Sequence, residues 1–430
     1  MSQALQGVLG RIGGLIQAGE LEAASREAGA RGAQLKANTH IHLPPNFSAF
    51  RDAREAVGRA AAEGLSVLGA SNYYDFGVYG EFGETCLSKG IFPLFGVEVI
   101  TLDSELARAG VKVNDPGNPG KMYVCGKGIA RFGEMSAAAR RTIGTIRRND
   151  GERMRKMIGL LNGIFAAGGV ATGLNEDAIV DVIVSRTGAP RGAVTLQERH
   201  VALAFQEALF ARAGGAERAA ALQGILGAEP SDASDAVKVQ DDIRTRLMKA
   251  GRPGFVEEEF VTFDEAFRLI LELGGIPCYP VLADGARPVC PFEEPVEKLI
   301  ENIKARGIHC VEFIPVRNDA AVLERYVVAM RRAGLVVTAG TEHNTLEMLP
   351  MTPLCRGGRA IPAEVEDIFR EGACVVAAHE FLTLSGRAGF VDESGRPSDA
   401  YGGGEELIGA MARLGAAVIR RAARASEPGE

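Results

Sequence analysis

Thr39-His40-Ile41-His42-Leu43-Pro44-Pro45-Asn46 decides how this chain is read. Residues i and i+2 of a strand project to the same side, so His40 and His42 can face one metal ion. Leu43-Pro44-Pro45-Asn46 ends the strand, which puts the pair at a carboxyl end. Open parallel sheets and βα barrels keep their chemistry there. Only six histidines occur in the 430 residues, so two on one strand end mark a metal site on the ligand chemistry of imidazole. The alternative is a strand end whose histidines merely hold a loop by hydrogen bonds.

Outward from that stretch, short apolar runs alternate with amphipathic segments. The runs are 35–42, 65–70, 92–100, 122–126, 275–280, 308–315 and 335–340. Rich in Val, Ile and Leu and bounded by Gly or Pro, they read as buried parallel strands. Segments 49–63, 262–273, 295–305 and 320–332 read as the helices between them. The pattern predicts an α/β fold of right-handed βαβ units. It is interrupted once, at 134–252, which reads as helix with breaks at Gly168-Gly169 and Gly214-Gly215 and a polar stretch over 229–242. The expected organisation is a helical extension over 1–34, a barrel over 35–133 and 253–383, a helical insertion over 134–252 across the barrel mouth, and a helical extension over 384–430. Residues 425–430 are expected to be disordered.

Composition narrows the function. Apolar residues make up 46% of the chain, enough for a substantial core, and the formal net charge of −7 argues against nucleic acid or an anionic membrane as partner. No run approaches the roughly 20 apolar residues of a membrane span, and no secretory h-region precedes the first strand. Seven scattered cysteines without a CxxC pair read as reduced thiols. A cytoplasmic protein acting on a small molecule is expected, with its oligomeric state open.

Further candidates lie on the other strands. Glu98, in Phe95-Gly96-Val97-Glu98-Val99, would be costly to bury without a metal or a basic partner. Glu312 repeats that pattern. Ser71-Asn72-Tyr73-Tyr74-Asp75 follows the second strand, where Asn72 and the tyrosines can position a substrate and Asp75 can bind metal or cap a turn. Gly340-Thr341-Glu342-His343-Asn344 closes the last strand and offers a ligand or acid–base pair. Tyr279 ends the fifth strand. His200, in the insertion, can reach the site from above or sit on a helix surface, and His379 is a further histidine after an apolar run. The basic run from Arg140 to Lys156 reads as a solvated helix face that could also attract a phosphorylated substrate.

In this order the residues resemble the PHP (polymerase and histidinol phosphatase) family of metal-dependent hydrolases, over roughly 35–130 and 255–345. The resemblance implies a distorted (β/α)7 barrel, a helical insertion, and hydrolysis through bound metal. His40-x-His42 matches the family's opening motif and Gly96-Val97-Glu98 its Gly-x-Glu. Arg199-His200-Val201-Ala202 is similar to an Arg-x-His-x-Ala pattern in the arm of members that hydrolyse small phosphate esters. Other motifs depart from the family. Ser71-Asn72-Tyr73 stands for Thr-Asp-His, Tyr279-Pro280 for His-Pro, and Gly340-Thr341-Glu342-His343-Asn344 for Gly-Ser-Asp-x-His. Neutral Tyr is a poorer ligand than imidazole, so fewer ions than the family's cluster are expected, as Mn, Zn or Fe.

These readings assign His40, His42, Glu98 and Glu342 to the metal. His343, Tyr73 and Tyr279 take catalytic roles, and Asn72, Asp75, His200 and Asn344 take substrate contacts. The expected function is a phosphoesterase-like hydrolase of a phosphorylated or carboxylated metabolite. The alternatives are a metal-dependent isomerase or lyase of a sugar or sugar acid, and a barrel that binds a ligand without catalysis.

Overall fold

The computed structural model describes residues 2–30, 35–133 and 135–425. Residues 426–430, expected to be disordered, lie outside the described residues. All seven expected strands form: β1 Ala37–Ile41, β2 Val67–Ala70, β3 Phe92–Leu102, β4 Lys121–Lys127, β6 Ile276–Val281, β7 Cys310–Phe313 and β8 Val336–Ala339. A two-residue strand, β5 Val261–Thr262, adds to the end of β3. The sheet runs β1-β2-β3-β4-β6-β7-β8.

The ends of the sheet meet where the chemistry is expected. Ile41 bridges Glu342 in parallel, and the Thr341 and His42 amides donate to the carbonyls of His40 (3.0 Å) and Glu342 (2.8 Å). Gly340 permits this approach, because a Cβ there would lie 2.3 Å from the Cβ of His40. The result is a nearly closed, distorted barrel. One strand departs from the expected pattern: β4 is antiparallel to both β3 and β6. A buried strand is apolar whichever way it runs, so hydrophobic content carried no information about its direction.

Helices cover the outside of the barrel, and their boundaries follow from local chemistry. Asp52 caps helix Ala53–Ala62 by accepting from the Glu55 amide at 2.8 Å. Thr262 and Glu265 form a capping box ahead of helix Phe263–Glu272. Helix Ala363–Leu384 is buried along most of its length between the barrel and the C-terminal helix Glu405–Arg424.

The interrupting segment is helical as read. Helices Ala137–Ala167, Glu176–Thr187, Glu198–Arg212, Gly215–Leu226 and Ala236–Ile243 share a core of their own around Met157, Leu161, Phe165, Phe205 and Leu209. The first helix ends before Gly168-Gly169 and the fourth starts at Gly215, as the glycines imply. The polar stretch 229–242 is itself helical from Ala236.

Candidate metal centre and cavity

His40, at the end of β1, and His42, just beyond it, project to one side as their spacing requires. Their Nε2 atoms lie 3.3 Å apart. Glu98 of β3 brings its Oε2 to 3.0 Å from His42 Nε2 and 3.5 Å from His40 Nε2. All three residues are buried. Glu98 Oε2 has no hydrogen bond of good geometry among the described residues. Two nitrogens bound tetrahedrally to Zn²⁺ would stand about 3.3 Å apart, given bonds of about 2.05 Å. The donor set therefore fits one divalent ion.

The surroundings prepare these ligands. His40 Nδ1 lies 2.6 Å from Glu312 Oε1, and the other Glu312 oxygen accepts from Lys127 Nζ at 2.5 Å. Lys127 also donates to the Thr39 carbonyl at 3.1 Å. A carboxylate on Nδ1–H leaves the Nε2 lone pair for metal, the usual outer support of a ligating histidine. Burial works against charge on Glu312, but Lys127 and His40 outweigh it and hold its pKa low. Burial likewise opposes charge on Glu98, and the two imidazoles again prevail. Cys125, His40 and Glu312 also lie close together, but Lys127 already neutralises Glu312 there. His42 Nδ1 has no partner among the described residues.

Glu98 connects the cluster to a cavity of about 520 Å³ that it lines, between the barrel mouth and the helical insertion. Tyr73 lines it and stacks on His42, with ring centroids 5.0 Å apart and planes at 17°. Burial, with Glu98 beside it, pushes the Tyr73 phenol well above its ordinary pKa, so it stays O–H. Arg317 and Glu342 also line the cavity and form an ion pair. Asn344 donates to the same Glu342 carboxylate at 2.6 Å. Arg199 faces the cavity from helix Glu198–Arg212 with no hydrogen bond or ion pair among the described residues. Burial and the neighbouring Arg244 disfavour its charge.

Several residues read as functional make contacts within the framework. Glu342 is not part of the His40–His42–Glu98 cluster; its carboxylate is held by Arg317. The left-handed backbone of Glu342 and His343 (φ 59° and 50°) turns the His343 ring away from the cavity. There its nitrogens pair with Thr341 Oγ1 (2.7 Å) and the Leu349 carbonyl (2.9 Å). Tyr279 is buried and donates to Glu293 at 2.8 Å. The Asn72 side chain bonds both backbone groups of Leu43. Asp75 pairs with Arg147 at 3.0 Å and accepts from the Gly77 amide, pinning the insertion to the barrel. His200 accepts from the Gln197 amide at 3.1 Å and packs edge-on against Phe47. Burial drives its pKa down to about 3, so it is neutral. His379 bonds the Gly274 carbonyl and the Phe390 amide.

The sequence reading missed Lys127, Arg317 and Lys121. A lysine at the end of the largely apolar strand β4, Lys121–Lys127, was a visible oddity of the kind that singled out Glu98 and Glu312. Arg199 was quoted only as a neighbour of His200. One helical residue of offset is about 100° of rotation, which separates a cavity arginine from a packed histidine.

No family profile and no curated protein sequence matches the chain. Among solved structures it resembles a protein of Bifidobacterium adolescentis provisionally assigned as a metal-dependent phosphoesterase. The TM-score is 0.53 at 15% identity, over 77% of this chain and 94% of that one. An amidohydrolase of Chromobacterium violaceum, solved with sulfate and no metal, aligns with a TM-score of 0.49 at 18% identity, over 77% and 96%. In fold this chain is a nearly closed, distorted α/β barrel similar to that of the Bifidobacterium protein, and it carries a His–His–Glu cluster of metal-ligating type.

Proposed function

We propose that this chain is a metal-dependent hydrolase of a small anionic metabolite, a phosphate ester or a carboxylated compound. The observation that carries the reading is the convergence of His40, His42 and Glu98 beside a cavity that Glu98 lines together with Arg199 and Arg317. His40, His42 and Glu98 would hold the ion, whose Lewis acidity would activate water and polarise the bond to be broken.

The remaining work falls to the chain. Arg199 has no hydrogen-bond or ion-pair partner among the described residues, so an anionic group bound there would satisfy its guanidinium. Arg317, held by Glu342, offers a second positive charge in fixed orientation. The Tyr73 hydroxyl stays protonated and can donate a hydrogen bond to negative charge that develops beside His42. The insertion lines the cavity opposite the barrel, and low-dielectric walls on both sides strengthen each of these interactions.

The test is release of inorganic phosphate from a panel of phosphate monoesters, with Mn²⁺ or Zn²⁺ added, by the full chain and by His42→Ala. Metal-dependent release lost in the variant supports the reading. Turnover of a sugar phosphate without release of phosphate would instead favour an isomerase or lyase.

A further inference from the structure

The cavity extends well beyond Glu98, where it meets the metal-ligating cluster. Glu98 and Ile100 line it along β3, and Lys121, which pairs with Leu102, lies beside it on β4. Four strand residues from Glu98 to Leu102 span about 13 Å. The far end therefore has a chemistry of its own.

At that end each cation already has an acid. Lys121 lies 2.6 Å from Glu258 and 3.5 Å from Asp115. Arg153 lies 2.6 Å from Glu198 and 3.0 Å from Glu258, and Lys249 also pairs with Glu198. Asp115, Glu198 and Glu258 match these three cations in number. Of the two lining carboxylates left over, Glu259 is exposed, and the more buried one is Asp150 of helix Ala137–Ala167. It lines the cavity, yet no hydrogen bond or ion pair reaches it among the described residues. Burial raises its pKa to about 7, with Glu258 adding to the shift and Arg153 and Lys121 opposing it. The wall beside it already seats one ammonium, since Lys121 Nζ lies 5.2 Å from the ring centroid of Phe260 and 5.7 Å from that of Tyr123. With those faces taken by Lys121, the unmatched Asp150 carboxyl in the same cavity is the group that a further cation would pair with.

We propose that Asp150 anchors a distal subsite for an ammonium group of the substrate. The molecule is then anionic at the metal end and cationic at the other. This rests on the anionic-substrate reading above, which supplies the first end.

The experiment uses the metal-loaded full chain and matched linear monophosphates of four to ten carbons, ending in methyl, hydroxyl or amine. Affinity is measured by calorimetry for wild type, Asp150→Asn and Asp150→Glu, and phosphate release is scored separately. For at least one length the amine should bind about ten-fold tighter than its methyl partner. Asp150→Asn should abolish that preference without changing affinity for the methyl series, and Asp150→Glu should retain part of it. Equal affinity for methyl and amine at every length overturns the proposal. So does a preference that survives Asp150→Asn, or a hydroxyl that binds as well as the amine. An amine preference without hydrolysis of any compound supports the subsite and counts against the hydrolase. Hydrolysis without an amine preference does the reverse.

Discussion

His40 Nδ1 lies 2.6 Å from Glu312 Oε1, inside a barrel where neither side chain is more than 2% exposed. The pair joins β1 to β7, and Lys127 completes it from β4. Removing the carboxylate should do two separable things. Glu312→Gln should weaken metal binding about 10- to 100-fold through loss of support for His40. It should also destabilise the fold by roughly 3–5 kcal/mol, because Lys127 is left buried without a counter-charge. Glu312→Gln combined with Lys127→Met should recover much of the stability but not the metal affinity. Metal competition titrations and denaturant unfolding measure the two effects independently.

Tyr73→Phe keeps the ring that stacks on His42 and removes only the hydroxyl. Metal content should be unchanged, while kcat on a hydrolysed substrate should fall by about 10²–10³, the cost of losing one donor to developing charge. Unchanged kcat would remove Tyr73 from the chemistry.

His343→Gln separates framework from catalysis. With both ring nitrogens bonded to the loop after β8, the substitution should cost about 1–2 kcal/mol of stability. Metal stoichiometry should stay unchanged and kcat/KM should remain within a few-fold of wild type. Loss of turnover in a variant that still binds metal would return His343 to the active site.

Glu293 gives the fold a pH dependence. Burial raises its pKa to about 7, although Tyr279 and the Leu282 and Ala283 amides donate to it. A carboxyl whose folded pKa lies above its unfolded value of about 4.3 contributes most stability at low pH. That contribution is lost as pH rises from about 4.3 to 7 and is constant above, because the folded state binds the proton more tightly. Glu293→Gln lacks this loss. Its stability relative to wild type should rise between pH 5 and pH 8 by an amount on the order of 2–3 kcal/mol. A constant difference across that range would show that Glu293 does not titrate in it.

The readable parts of the site were those with local signatures. His40 and His42 show themselves by alternation, and Glu98 by the cost of a carboxylate in an apolar strand. Those costs also singled out Glu312, but its partner Lys127 lies 185 residues away, and no local pattern joins them. The direction of β4 was hidden for a similar reason, since apolar content does not encode strand sense. Asn72, Tyr279 and His343 do not line the cavity, because polar groups at strand ends also satisfy the neighbouring framework. Two adjacent left-handed residues, Glu342 and His343, decide which side chain faces the cavity. Such backbone angles at non-glycine residues are seldom visible in sequence.

Whether His40, His42 and Glu98 bind a metal ion is decided by elemental analysis of metal per chain. Wild-type protein purified with added Mn²⁺ or Zn²⁺ should carry about one ion per chain, and a folded His40→Ala/His42→Ala variant should carry none. Wild-type protein without metal, or a variant that retains it, would contradict the account.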